Sequence, residues 1–438
     1  MKRQTFIFHG WLIVATGMVV YALGYGARYS FSVIFPSLVT EFGWPRDTTA
    51  AMLSVHMLVY GLTAPVAGYL VDKIGPRTTM VSGTVLFALG LAFSALGSEP
   101  WHFYLTFGVL AGAGLCLSGA VPFTTVIKNW FEKRSGVAFS LLYFGGGGAF
   151  VWYPVVAILI NWVSWRGTFL TESIVLTLAL VPIILLIVRY RPVDMGLSPD
   201  NDPNTPVVLR SGARDSGEVS NPGGATVDWK LGRAAKTLRF WLLCLSPFCV
   251  WGICQTLLVA HHVVFAMDVG YSNTHASSVL SLFGVTFACG CLAGVVSDWI
   301  GREGTMTIGT AIGISGILVL TLVKDASRPW MLYYYALALG FGQGMTAPAI
   351  VASVADVFRG PRVGAIIGVV WFGYSVGGSI GPWLGGWIFE VYGSYRLAFI
   401  LAMASYALGC AAIWWAAPRK MRVRARKPAW HPSCVEDH

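Results

Sequence analysis

The chain has 438 residues, of which 55% are hydrophobic and 11% charged, with a formal charge of +10. A soluble domain carries about 25% charged residues, so this composition excludes a protein that faces water on all sides. The basic excess would fit a nucleic-acid binder if it formed one patch, but the bases are dispersed along the chain between apolar segments.

A spanning helix needs about 20 mainly apolar residues. Such runs fall near 11–38, 49–71, 78–97, 102–127, 136–161 and 167–189, then near 240–266, 274–297, 304–323, 330–356, 363–389 and 395–417. The first run, after Met1-Lys2-Arg3, is too long for a signal-peptide core and lacks a small-x-small cleavage site. All twelve are expected to be helices, because only helices or closed barrels satisfy the backbone in lipid. With the N-terminus in the cytoplasm, 24 of the 30 Lys and Arg fall on the cytoplasmic side, five fall outside, and Arg28 lies within the first segment. That bias satisfies the positive-inside rule with both termini cytoplasmic. Between the sixth and seventh segments lies a stretch with Pro192, Pro199, Pro203, Pro206 and Pro222 and several glycines, the composition of a flexible linker. The expected organisation is a six-helix bundle over 1–190, a cytoplasmic linker over 191–239, a second bundle over 240–417 and a basic tail over 418–438. The tail is placed to touch anionic headgroups. Seven of the eight cysteines lie inside apolar segments and read as small apolar residues, not as a disulfide frame or metal site.

The two halves echo each other. Gly68-Tyr-Leu-Val-Asp72-Lys73-Ile-Gly75-Pro-Arg77 returns 226 positions later as Gly294-Val-Val-Ser-Asp298-Trp-Ile-Gly301-Arg302. Tyr143-Phe144-Gly145 answers Trp371-Phe372-Gly373, and Gly112-x-Gly114 answers Gly340-x-Gly342, both at offset 228. Ser164-Trp-Arg166 answers Ser394-Tyr-Arg396 at offset 230. Repeats in register imply two similar bundles with a path between them.

On these residues the chain resembles the major facilitator superfamily: the Gly68–Arg77 stretch is similar to that family's loop motif after the second helix, and Gly294–Arg302 to its second copy. The runs His9-Gly10-Trp11, Gly26-Ala-Arg28-Tyr29-Ser30-Phe31, Glu41-Phe-Gly-Trp44 and Arg191-Pro-Val-Asp194-Met195-Gly196 resemble the bacterial monocarboxylate-transporter-like and oxalate/formate-antiporter-like branch. The resemblance implies an all-α membrane protein of 12 transmembrane helices in two pseudo-symmetric six-helix bundles, in a bacterial inner (plasma) membrane. It implies a secondary transporter working by alternating access, moving a small organic anion such as a monocarboxylate in symport with protons. The alternative is an exporter of apolar drugs or metabolites on the same fold; a membrane sensor is a further class. No nucleotide-binding loop, metal cluster or Ser/His/Asp arrangement points to an enzyme, and no cofactor or nucleic-acid partner is expected.

A charge inside a bilayer costs at least ~2.5–3.5 kcal/mol on insertion scales, so each one needs a reason. Arg28 shares a helical face with Tyr21, Tyr25 and Ser32. In the fold implied, that helix lines the central path; Arg28 then either meets a substrate carboxylate, or snorkels to the headgroups or braces a neighbouring helix. The branch would place a carboxylate-binding arginine in the eighth segment, but residues 277–297 contain no base, and neither do 363–389. Gln255 and His262 share a face of the seventh segment, and His261 diverges from it. His261, His262 and, in the second segment, His56 are either coupling-proton sites or hydrogen-bonded interface histidines. Tyr143, Gln343, Trp371 and Tyr374 are candidate pocket liners. Glu172 is expected to be structural, since the fold implied places it towards lipid or the bundle exterior. Gly68, Asp72, Lys73, Gly75, Arg77, Asp298, Gly301 and Arg302 form a conformational switch, with each aspartate poised for a neighbouring arginine or helix N-terminus.

Overall fold

A computed structural model of the chain describes residues 8–131, 134–201, 229, 231–358 and 363–416. The centre of the linker and the basic tail lie outside the described residues, as do the side chains of Tyr143 and Asp298. Among the described residues there are twelve long helices and no strand. They are α1 (His9–Phe42), α2 (Arg46–Ile74), α3 (Pro76–Ser94), α4 (Pro100–Trp130), α5 (135–163) and α6 (165–187). The second half holds α7 (Leu238–Asp268), α8 (Asn273–Ala293), α9 (Arg302–Thr321), α10 (Trp330–Val357), α11 (Val363–Tyr392) and α12 (Arg396–Ala416). The protein is a multi-pass integral membrane protein.

Breaks in this pattern sit where local chemistry demands them. α5 and α6 meet at Ser164, whose φ of 63° turns the backbone sharply. Gly75 and Gly301, with φ of 84° and 91°, begin α3 and α9, so the repeated motif supplies glycine where the turn needs a left-handed backbone. α1 loosens at Ser30, six residues before Pro36, which has no N–H to continue the ladder. α4 and α7 each contain a wide π-helical turn, at Tyr104–Ala111 and Phe248–Gln255.

Helices pack closely where glycine removes the side chain. A Cβ on Gly114 would lie 2.3 Å from the Phe87 nitrogen, so α4 rides directly on α3. A Cβ on Gly342 would lie 2.3 Å from the Gly309 oxygen, which sets α10 on α9 in the same way. Gly145 abuts Met18 of α1, and its echo Gly373 abuts Cys244 of α7. The sequence repeats therefore occupy equivalent contacts in two pseudo-symmetric halves. The seven cysteines among the described residues are free; Cys289 is exposed on the surface instead of packed inside.

The halves meet along α2 and α11, α1 and α7, and α5 and α8. The α2–α11 seam runs antiparallel, from Gly61 against Ser375 to Met57 against Gly378. It continues through Ser54 Oγ, which accepts from the Trp383 N–H at 3.1 Å, to Asp47 against Gly386. At its end Arg46 reaches Asp268 of α7. Toward Asp72 the same faces are uncovered: Pro65 and Asp72 are exposed, and no atom approaches a Cβ built on Gly68 or Gly368 within 4 Å. The molecule is thus closed at its Arg46 end and splayed at its Asp72 end.

Candidate functional site

Arg28 lies midway through α1 and is 0% exposed, so it does not snorkel. Its surroundings are aromatic. The guanidinium carbon sits 4.4 Å from the Tyr25 ring centroid, 4.7 Å from Tyr29 and 5.2 Å from Tyr60. Nη2 donates to the hydroxyls of Tyr29 and Tyr374, both at a long 3.3 Å. Those two hydroxyls bond each other at 2.9 Å, as do those of Tyr25 and Tyr60. Tyr374 belongs to α11, so this small network joins the two halves. Nε and Nη1 find no protein partner, and among the described residues no carboxylate pairs with Arg28.

This is an unusual environment for a charge. An arginine cannot shed its proton to escape burial. Each ring face over it is worth about 2 kcal/mol or more when desolvated, against several kcal/mol for stripping the ion of water. The rings offset part of that cost, but among the described residues the charge at the junction of the halves has no anion beside it.

On the α11 side, Trp371 meets Tyr374 edge to face at 6.0 Å and stacks on Trp251 of α7 at 5.0 Å, with ring planes 5° apart. Among the described residues the buried Trp251 Nε1–H has no acceptor. Of the candidates read from sequence, the structure brings Arg28, Tyr25, Tyr374 and Trp371 together. Gln255 is buried one helical turn beyond Trp251. Gln343 is turned into the second half, its Nε2 3.4 Å from the Val250 oxygen. His262 Nε2 donates to the Ala276 oxygen at 3.1 Å and the ring stacks on Tyr335, so it sits between α7 and its own bundle. His56 Nδ1 donates to the Phe107 oxygen at 2.9 Å, inside the first half. His261 instead faces the closed end: Nε2 donates to the Pro382 oxygen at 2.7 Å and Nδ1 lies 3.1 Å from the Tyr395 hydroxyl. Tyr143 is in α5, its side chain outside the described residues.

Two features had no sequence reading, and a third, Glu172, corrects one. Tyr29 and Tyr60 complete the cage; Tyr29 neighbours Arg28 in sequence and falls off its helical face. Glu172 is not turned to lipid. It is 1% exposed, accepts from Trp152 Nε1 at 3.2 Å and lies 3.0 Å from Ser30 Oγ at the loosened point of α1. The other unread feature is the cluster around Arg46 at the closed end.

The repeated loop motif is engaged unevenly. Arg302 donates to Asp356 at 3.1 Å and to Ser297 at 2.7 Å, which ties α9 to α10. Arg77 donates to the Leu185 oxygen, tying α3 to α6. Asp72 and Lys73 are exposed, and among the described residues Asp72 forms no ion pair with Arg77 or any other base. The structure does not describe the Asp298 side chain.

The Major Facilitator Superfamily model matches residues 17–337 and 268–435. The chain is similar to monocarboxylate transporter 13 of Bos taurus, 26% identical over 412 residues that cover 91% of this chain and 87% of that protein. It is 27% identical to monocarboxylate transporter 12 of Homo sapiens, over 90% of this chain and 77% of that one. Its fold is similar to a crystal structure of a bacterial homologue of the human lysosomal transporter Spinster, inward-facing and unoccupied. The TM-score is 0.72, at 15% identity, covering 98% of this chain and 100% of that one.

Proposed function

The chain belongs to the Major Facilitator Superfamily and is a transporter, not an enzyme; from that premise we propose that it moves a small organic monocarboxylate, together with protons, across the cell's inner or plasma membrane by alternating access. The observation that carries this reading is Arg28, a buried cation with no carboxylate beside it among the described residues and a hydrogen bond across the two halves. A carboxylate arriving there forms charge-assisted bonds stronger than the neutral hydroxyl contacts it displaces. In taking Nη2 it competes with Tyr29 and Tyr374, so binding loosens the Arg28–Tyr374 tie between halves. Substrate occupancy and the movement of the halves are thereby linked through one residue. The relatives named as monocarboxylate transporters support the same cargo class. Trp371 and Trp251 border the approach and suit an apolar substrate tail. His262 and His56 are the proposed carriers of the transported proton, while His261 lies at the closed end. The excess of bases on the Asp72 side supports placing that splayed end in the cytoplasm, and the basic tail on anionic headgroups.

The test is uptake of labelled lactate, pyruvate and longer monocarboxylates into proteoliposomes, with and without an inward proton gradient. Wild-type protein is expected to accumulate at least one acid under the gradient. Arg28→Gln loses that uptake, and Arg28→Lys, which keeps the charge but not the planar fork, weakens it by about 30-fold or more. Wild-type protein inert to every acid overturns the cargo; uptake surviving in Arg28→Gln overturns the anchor.

A further inference from the structure

At the closed end, Arg46 of α2 gathers groups from three separate segments. Nη1 and Nη2 donate to the two oxygens of Asp268 in α7, at 2.5 and 2.8 Å. Nη1 also donates to the Tyr395 hydroxyl at 3.0 Å, just before α12, and the backbone N–H of Arg46 donates to Glu390 of α11 at 2.7 Å. The guanidinium lies 3.8 Å from the centroid of Phe389. Arg46 belongs to the first half and all its partners to the second, so every one of these bonds must break when this end opens.

His261 is wired into the cluster. Pro382 offers only a carbonyl, so Nε2 carries a hydrogen and donates to it. The Tyr395 oxygen already accepts from Arg46; its own hydrogen then points to Nδ1, which must be a bare lone pair to receive it. The relay runs Arg46 N–H to Tyr395 O–H to His261 Nδ1, and His261 Nε2–H to Pro382 C=O. Every donor has one acceptor. A second proton on the ring turns Nδ1 into a donor. The Tyr395 oxygen then receives from two cations, and its hydrogen loses its acceptor in a site 3% exposed.

We propose that His261 is a proton site that reads the state of this latch: the Arg46 end closes only when the ring carries a single proton, and a second proton on Nδ1 holds it open. The charged groups facing the site are Arg46 and Asp47 from α2, Glu390 from α11 and Asp268 from α7 itself. α1 contributes Phe35, ring to ring at 5.6 Å, and Tyr395 precedes α12. Asp47 bonds the N–H and hydroxyl of Thr48; Arg46, Asp268 and Glu390 are committed to the latch. α8 contributes His275, on the His262 side. The proton enters Nδ1 from water when this end is open and returns to water before it closes. The proposal rests on the alternating-access reading but not on the identity of the cargo.

The test uses the full chain, solubilised in detergent, with Ser54→Cys as a reporter buried in the α2–α11 seam. Maleimide labelling is measured against the same protein without Ser54→Cys and normalised at each pH to labelling of the unfolded chain. Labelling is expected to rise about tenfold from about pH 8 to about pH 5, the range in which a released imidazole titrates. His261→Gln, which can still donate to Pro382 and accept from Tyr395, keeps labelling slow at both. Arg46→Ala labels fast at both. Tyr395→Phe, which removes the contested hydroxyl while leaving the Arg46–Asp268 pair and His261, loses the pH dependence and serves if His261→Gln does not fold. Labelling that ignores pH overturns the proposal, as does a pH response that survives in His261→Gln or Tyr395→Phe. Slow labelling of Arg46→Ala overturns the latch. No substrate enters this experiment, so its failure leaves the Arg28 reading standing, and failure of uptake leaves the latch standing.

Discussion

Arg28 and Glu172 are both wholly buried ionisable side chains in the first half, and they relate to stability in opposite ways. Glu172 is matched by donors: Trp152 Nε1–H, and Ser30 Oγ within bonding distance. Removing its oxygens in Glu172→Leu leaves the half-buried Trp152 indole N–H without its acceptor, a loss of about 1 kcal/mol. Glu172→Gln keeps an acceptor and is expected to cost less. Arg28 has no such matching, and a buried charge exchanged for an apolar side chain of similar length is often neutral or stabilising by about 1–4 kcal/mol. Arg28→Met is therefore expected to melt at or above the wild-type temperature in detergent while losing anion uptake. A fall in melting temperature as large as that of Glu172→Leu would make Arg28 a brace, not a substrate anchor. The reason Arg28 could be singled out in the sequence is that a lone base in a long apolar run stands out. Its cage was legible only in part: Tyr25 shares its face and Tyr374 reads as a pocket liner, but nothing in the sequence brings Tyr60, 32 positions away, onto the guanidinium. Tyr29 is adjacent and lies off the helical face that the periodicity selects.

At the scale of helices, the sequence was legible wherever a span is long and apolar, and the twelve segments match the helices to within a few residues at most ends. The eighth is shorter than its apolar run, because Gly294–Val296 leaves the α-helical path before the Gly301 turn. The glycine echo was legible as a repeat, but its meaning is a packing fact: Gly114 and Gly342 are the points where α4 crosses α3 and α10 crosses α9. Each meets backbone, which cannot step aside. Gly114→Ala and Gly342→Ala are each expected to destabilise the fold by about 1–3 kcal/mol, the usual cost of overpacking. Thermal unfolding of Gly146→Ala, where nothing lies within 4 Å, gives the comparison. If the three variants unfold alike, the crossings are looser than these distances state. Gly61 is different, since its Cβ would meet Ser375 of the other half at 2.5 Å. A clash across that seam acts on the closed Arg46 end, not on either bundle.

For the whole molecule, the halves make one continuous seam from Gly61 to Arg46 and none of comparable closeness from Gly68 to Asp72. Such an arrangement is what a two-state rocking device looks like when caught at one extreme. Sequence periodicity could supply both bundles, but it holds no information on which end is shut, because that depends on pairs such as Arg46 and Asp268 that lie 222 positions apart. The state shown gives Asp72 nothing to do: it is exposed and, among the described residues, without an ion pair. Its place at the end of α2, on the face that meets α11 higher up, means that rocking toward closure of this end carries it to the start of α11. A carboxylate there gains the favourable field of a helix N-terminus, worth about 0.3–1 kcal/mol at the surface and up to ~2 when partly buried. Asp72→Asn removes that gain from one state only. Its melting temperature should equal wild type in the state described here, while turnover falls by about the factor that 1–2 kcal/mol sets, roughly 5–30-fold. The drop should be larger for uptake than for labelling of Ser54→Cys at the other end in a form held closed by Arg46 and Asp268. Transport kinetics unchanged in Asp72→Asn would mean that α11 never receives this carboxylate, and that the loop motif serves only to turn the chain at Gly75.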